Sequence, residues 1–206
     1  MIHFEASELS TKQQYKFISG SIIPRPIAWV TSLADNGIVN LAPFSFFSGL
    51  SNQLPLLSLA ILRNQDGTMK DTASNILNNG QAVVHTISES LAEQMNLTAA
   101  SVDSDTSELN LTSLKTTPSV TVTPPSLVEP LIRFETNLFQ YVPIEKNDGI
   151  IITDLLILQI TDFFFNPSVF DQEKNYILNH KLNLIGRLAG NEYTLLGKTF
   201  SLTRPK

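Results

Sequence analysis

The sequence predicts a mainly β protein, an antiparallel barrel with short helices inserted between its strands. Apolar, β-branched runs of strand length recur along the 206 residues, and turn residues punctuate them. No regular alternation of strand and long helix marks a doubly wound parallel sheet. The length suits one domain over residues 1–206.

Ser10 followed by TKQQYKFIS reads as an N-capped helix that stops at Gly20 and lids one barrel end. Ile27 to Leu33 is apolar and β-branched, Ala34-Asp35-Asn36-Gly37 is turn chemistry, and Ile38 to Leu41 starts a return strand. Phe44, Ser45, Phe46 and Phe47 crowd the exit of that hairpin, where a purely structural loop is usually small and polar. Pro55 to Leu62 is a further strand, ended by Arg63-Asn64-Gln65-Asp66-Gly67. Asp71 reads as the cap of a helix over Thr72 to Asn78, and Gly80 stops it before a strand over Ala82 to Ile87.

Ser90-Leu91-Ala92-Glu93 fits a capping box, and Asp105 to Leu111 a short helical turn. Thr116 to Pro130 holds four of the 11 prolines and reads as an extended connector or edge strand. Leu131 to Val142 and Ile150 to Phe165 form two long strands joined at Glu145-Lys146-Asn147-Asp148-Gly149. Gln172 to Leu184 reads as mixed helical, before the Gly186 to Gly190 break and the apolar Tyr193 to Leu196.

Composition narrows the function. The 14 basic against 19 acidic side chains give a net charge of −5, with no diffuse basic field to attract a phosphate backbone, so nucleic acid is not expected as a partner. Only 16% of residues are charged, which favours self-association through apolar surface. The absence of cysteine removes disulfides, thiolate nucleophiles and Cys-ligated metals. The start MIHFEASELS does not read as a secretory signal, and no apolar run approaches the ~20 residues that span a bilayer, so the expected location is cytoplasmic, without a membrane anchor.

His3, His85 and His180 are too scattered for a metal-ligand or triad spacing, and His85, inside a strand, reads as a buried, hydrogen-bonded histidine. Gly-x-Ser-x-Gly and phosphate-binding Gly-rich patterns are missing. A chain without a catalytic set of its own points to a bound cofactor that carries the chemistry.

Four blocks then converge. Pro24-Arg25-Pro26-Ile27-Ala28-Trp29-Val30-Thr31-Ser32, Asn40-Leu41-Ala42-Pro43-Phe44-Ser45-Phe46-Phe47, Lys70-Asp71-Thr72, and Arg187-Leu188-Ala189-Gly190 with Tyr193 lie in that order. Together they resemble the flavin reductase-like family of FMN-binding split barrels, over nearly the whole chain. The resemblance implies a six-stranded antiparallel Greek-key barrel that pairs as a homodimer, with one FMN near each subunit interface. It also implies NAD(P)H as co-substrate and a small-molecule acceptor or an oxygenase partner as recipient; the other reading is a flavin-binding carrier or oxygenase partner protein without nicotinamide-dependent activity of its own.

FMN needs cations for its phosphate, donors for its ribityl chain and ring edge, and a stacking surface. By motif position, Lys70 and Arg63 would supply the cations, and Thr72 with the amides at the helix start a phosphate cradle. Thr31 or Ser32 would add hydroxyls, while Asn40, Ala42, Ser45, Phe46 and Phe47 would face the ring. Arg187 would face substrate or cofactor, or else pair with a carboxylate inside the barrel. The plainer alternatives are that the phenylalanines and Trp29 are core and that Arg63 simply finishes its strand.

Overall fold

Strand β1 (Ala28–Leu33) turns through Ala34 to Gly37 into β2 (Val39–Phe44). Gly37 sits at φ +85°, which a side chain rarely adopts, and its N–H bonds Ala34 O at 2.9 Å. A two-residue bend at Ser45–Phe46 leads straight into β3 (Phe47–Gly49), which pairs with β4 (Leu56–Leu62). After β5 (Gln81–His85) come two short strands, β6 (Thr116–Thr117) and β7 (Ser126–Leu127), paired with each other. The long strands β8 (Ile132–Glu145) and β9 (Ile151–Phe165) follow as a hairpin. The computed structural model describes residues 1–205.

One antiparallel sheet runs β2-β1-β5-β8-β9-β4-β3. Its two end strands, β2 and β3, are consecutive in the chain, so the order closes on itself through the Ser45–Phe46 bend. The sheet has seven hydrogen-bonded strands where six were expected, because the Ser45–Phe46 bend divides one stretch of chain into β2 and β3. The Greek-key order follows from β4 lying between β3 and β9, far from its chain neighbour β5.

Alternation fills the interior. Leu57, Leu59 and Ile61 of β4 meet Leu156, Leu158 and Ile160 of β9, with Ala28 and Val30 of β1. Helix α1 (Thr11–Ser21) carries the expected Ser10–Gln13 capping box but runs through Gly20, and its side chains are exposed apart from Ser19. It is helix α2 (Asp71–Asn79) that plugs the barrel, sending Ala73 and Ile76 into the core.

A second cluster coats the outside of β1, where Trp29, Leu41, Met95 and Leu127 pack together, so β1 is buried on both faces. Met95 comes from helix α3 (Ala92–Leu97). Ser90 does not cap it, because a 3₁₀ turn over Glu89–Leu91 precedes α3. Lys70, not Asp71, is the residue flanking α2 at its start, and Gly80 ends α2 at φ +75° as expected.

Gln172 to Leu184 is not mainly helical. It holds the hairpin strand β11 (Tyr176–Ile177), paired with β10 (Phe170–Asp171), and one 3₁₀ turn, Asn179–Lys181. Too few apolar positions recur there at helical spacing to bury a helix face. The chain closes with the ribbon of β12 (Ile185–Arg187) and β13 (Tyr193–Leu195). Among the described residues no helix is long and apolar enough to cross a membrane.

Candidate functional site

A cleft of about 740 Å³ opens between α1, the exit of β2, α3 and the β12–β13 ribbon. Tyr15 and Ser19 form one wall, Phe44 and Ser45 the floor, Met95 a second wall, and Arg187 the far rim. A smaller subsite of about 310 Å³ adjoins it, and Pro43, Phe44 and Ala99 belong to both. This subsite is lined by Asn40, Ala42, Lys70 and Thr72, with the carboxylates of Asp71 and Glu108 also in its wall, and reaches the start of α2. No side chain caps that start, so the first amide N–H groups of α2 have no side-chain acceptor.

Six of the expected residues are thereby brought together: Asn40, Ala42, Lys70 and Thr72 around the subsite, Ser45 and Arg187 around the cleft. The other five lie elsewhere. Thr31 is fully buried and donates to Pro125 O at 2.6 Å. Ser32 is buried between β2 and α2, donating to Asn40 Oδ1 at 3.2 Å and accepting from Asn75 Nδ2 at 3.1 Å. Phe46 stands edge-on to Tyr15, with ring centroids 6.4 Å apart. Phe47 packs against the barrel core and lines a separate apolar pocket of about 200 Å³.

Arg63 lines neither the cleft nor the subsite and is engaged by β9. It donates to Asp154 through Nη2 at 2.9 Å and Nε at 3.2 Å, and Tyr141 Oη donates to the same carboxylate at 2.8 Å. Asp154 is fully buried, so its charge demands these partners. Asp154 holds the Arg63 guanidinium above its ordinary value, while burial raises the Tyr141 hydroxyl.

A polar network underlies the subsite. Thr72 Oγ1 donates to Asn40 Oδ1 at 2.5 Å, and Asn40 Nδ2 donates to Glu108 Oε1 at 2.7 Å. The Leu41 N–H donates to Glu108 Oε2 at 2.9 Å. Burial raises the Glu108 carboxyl above its ordinary value, partly offset by the Leu41 hydrogen bond. Because the Thr72 proton points at Asn40, its hydroxyl presents only lone pairs elsewhere, and its contribution to an anion site is its main-chain N–H.

Arg25 is the organiser that sequence reasoning quoted without a role. Only 5% exposed, its guanidinium donates to Ser19 O, to Ile22 O at 3.1 Å, to Leu188 O at 2.9 Å and to Ser45 Oγ at 3.3 Å. It thus ties the end of α1, the hairpin exit and the chain after β12 around one cleft. Its place between Pro24 and Pro26 was the available signal, since two prolines fix the chain on either side. Glu108 had no sequence signal beyond its short turn, and its partners lie 68 and 67 residues away.

His85 is fully buried. The Leu127 N–H donates to Nε2 at 2.9 Å, so the ring proton is on Nδ1, which donates to Trp29 O at 2.9 Å. Burial pushes its pKa down to about 4. It is a structural histidine, away from the cleft.

Known proteins share this architecture. The crystal structure of nitrilotriacetate monooxygenase component B from Bacillus cereus superposes with a TM-score of 0.94 at 35% identity, covering 98% of each chain. That of the Pseudomonas fluorescens 2-nitrobenzoate 2-nitroreductase NbaA gives 0.88 at 31% identity, over 99% of this chain and 96% of the other. The Bacillus subtilis (strain 168) protein YwrF is 45% identical over 205 residues, the full length of both. The family model of the flavin reductase like domain matches residues 19–181, and the chain belongs to that family, whose chemistry is that of flavin-related oxidoreductases.

Proposed function

We propose that the protein binds FMN, with its phosphate in the subsite and its ring in the cleft, and passes hydride from NAD(P)H to an acceptor. The observation that carries this reading is the continuity of an anion-ready helix start beside Lys70 with a large cleft floored by Phe44. FMN would supply the two-electron carrier that the chain's own side chains lack.

The residues fit that group. Lys70 and the first N–H groups of α2 would draw a dianion, aided by the macrodipole of this nine-residue helix and opposed by the Asp71 carboxylate in the same subsite. The small side chain of Ala42 leaves the subsite wall open. Ser45 Oγ accepts from Arg25 Nε and so keeps its own proton to donate to a ring-edge acceptor. Phe44 supplies the floor, and the volume above it leaves room for a nicotinamide ring to stack within reach.

Anaerobic mixing of the FMN-loaded protein with NADH and with NADPH tests the proposal. Bleaching of the flavin absorbance is expected with at least one donor. A yellow protein inert to both would leave a flavin carrier, and a colourless protein with no thermal shift on adding FMN would end the flavin reading.

The likeness to an oxygenase component supports an oxygenase partner as recipient, and the likeness to a nitroreductase supports a small-molecule acceptor. A homodimer is part of the proposal, supported by Phe139, Ile150 and Phe163, which are 50%, 55% and 50% exposed on the long hairpin. A monomer by light scattering at working concentration would count against it.

A further inference from the structure

Arg25 and Arg187 exchange two backbone hydrogen bonds, Arg25 N–H to Arg187 O at 3.0 Å and Arg187 N–H to Arg25 O at 2.8 Å. A hydrogen-bonded antiparallel pair places both side chains on the same face of the ribbon. Both line the cleft. Two cations opposite one another repel, and a fold that sets them there has a cost that an anion between them would remove.

No protein carboxylate fills that role. Among the described residues the ion pairs are Arg63–Asp154 and Lys174–Asp171. Glu93, exposed on α3, lines the cleft without pairing with either guanidinium, and the other titratable groups there are the phenols of Tyr15 and Tyr193. Arg25 spends its donors on carbonyls and Ser45, as described above. Arg187 donates to Gly190 O and lies with its guanidinium carbon 4.4 Å from the centroid of the Tyr193 ring. Among the described residues its guanidinium makes no other hydrogen bond, and the stack on Tyr193 holds its plane in place.

The ribbon is built for this pairing. A Cβ on Gly186 would fall 2.7 Å from Pro24 Cβ, so the chain comes this close only because position 186 has no side chain. The cleft is mixed, with Tyr15, Phe44 and Tyr193 as its aromatic part and Ser19, Asn96 and Asn191 as its neutral polar part.

We propose that the cleft binds a small carboxylic acid with an aromatic or apolar body, its carboxylate held by Arg187 beside Arg25 and its body in the volume above the Phe44 floor, where a nicotinamide ring would otherwise stack. This deepens the flavin reading by naming the class of the second ligand. The charge requirement itself holds with or without flavin in the cleft.

Calorimetric titration with benzoate and with its neutral isostere benzamide, on FMN-loaded and on flavin-free protein, tests it. Benzoate is expected to bind about tenfold or more tightly than benzamide, the scale of a charge-assisted hydrogen bond. Arg187→Met brings benzoate down to the level of benzamide, and Arg187→Lys keeps part of the preference. No benzoate binding, equal affinities in the wild type, or a preference that survives Arg187→Met each overturns the proposal. Inorganic phosphate displacing benzoate with higher affinity from the FMN-loaded protein also overturns it, because the arginines then read a dinucleotide phosphate. The wild-type comparison needs no variant to fold. Failure to take up FMN counts against the proposed function and leaves the benzoate preference to be read on the flavin-free protein.

Discussion

Asn40 and Glu108 are joined through a buried charge-assisted hydrogen bond, Nδ2 to Oε1 at 2.7 Å, while the next N–H along the chain, that of Leu41, holds the other carboxylate oxygen at 2.9 Å. One side chain from a 3₁₀ turn therefore fixes the conformation of the strand that walls the subsite.

Glu108→Gln tests that bracing. Asn40 Oδ1 accepts from Ser32 and Thr72, so its Nδ2 must face residue 108 as a donor, as does the Leu41 N–H. A glutamine presents one oxygen and one NH₂, leaving one of these donors against another. The expected loss is about 1–3 kcal/mol of unfolding free energy, read as a lower urea midpoint. An unchanged midpoint would show that the network repacks freely.

His85 gives a pH dependence with a definite sign. Its pKa is lowered from the ordinary 6.5 to about 4 in the folded state, so folding favours the neutral ring. Its contribution is full above pH 6.5 and is lost as the pH falls through about 4. The difference corresponds to about 3 kcal/mol. Urea unfolding between pH 7 and pH 4 should show a steeper loss in the wild type than in His85→Gln. Nitrogen chemical shifts at pH 5.5 should report a neutral ring protonated on Nδ1.

Arg63→Ala strands the Asp154 carboxylate in the barrel wall with Tyr141 as its remaining side-chain partner. The urea midpoint should fall, because the buried Asp154 charge loses its cationic partner. Asp154→Asn in the Arg63→Ala background should recover part of the loss, because no charge is then left buried. A double variant no more stable than Arg63→Ala would contradict this.

Lys70→Ala removes the exposed ammonium at the subsite while leaving α2 uncapped as before. FMN affinity should fall about tenfold or more, whereas riboflavin, which has no phosphate, should bind as it does to the wild type. Fluorescence quenching by the two flavins measures both. Equal losses for FMN and riboflavin would place the phosphate elsewhere.

Much of the barrel was legible because strands announce themselves locally. The apolar alternation of Leu57, Leu59 and Ile61, the Asp35-Asn36-Gly37 turn and the αL stop at Gly80 are read from a few adjacent residues. The segment 172–184 was not legible, because its hairpin and 3₁₀ turn bury little of their own and take their shape from neighbours. Among the expected site residues, exposure of the subsite decided the outcome. Lys70 and Ala42 reach it, while the Thr31 and Ser32 hydroxyls are consumed inside the fold and Phe47 faces another pocket.

Local sequence alone determined where β1 and β2 turn and where α2 ends, and composition that the chain has no thiol of its own for redox chemistry, since each depends on nearby residues or on residue counts. Only the tertiary structure decided what Arg25, Arg187 and Glu108 do. Their partners lie far along the chain, Leu188 for Arg25 and Asn40 for Glu108, and the Arg25–Arg187 pair exists only because β12 returns to meet the start of β1. Such contacts come from barrel closure and dense packing, which no local pattern encodes.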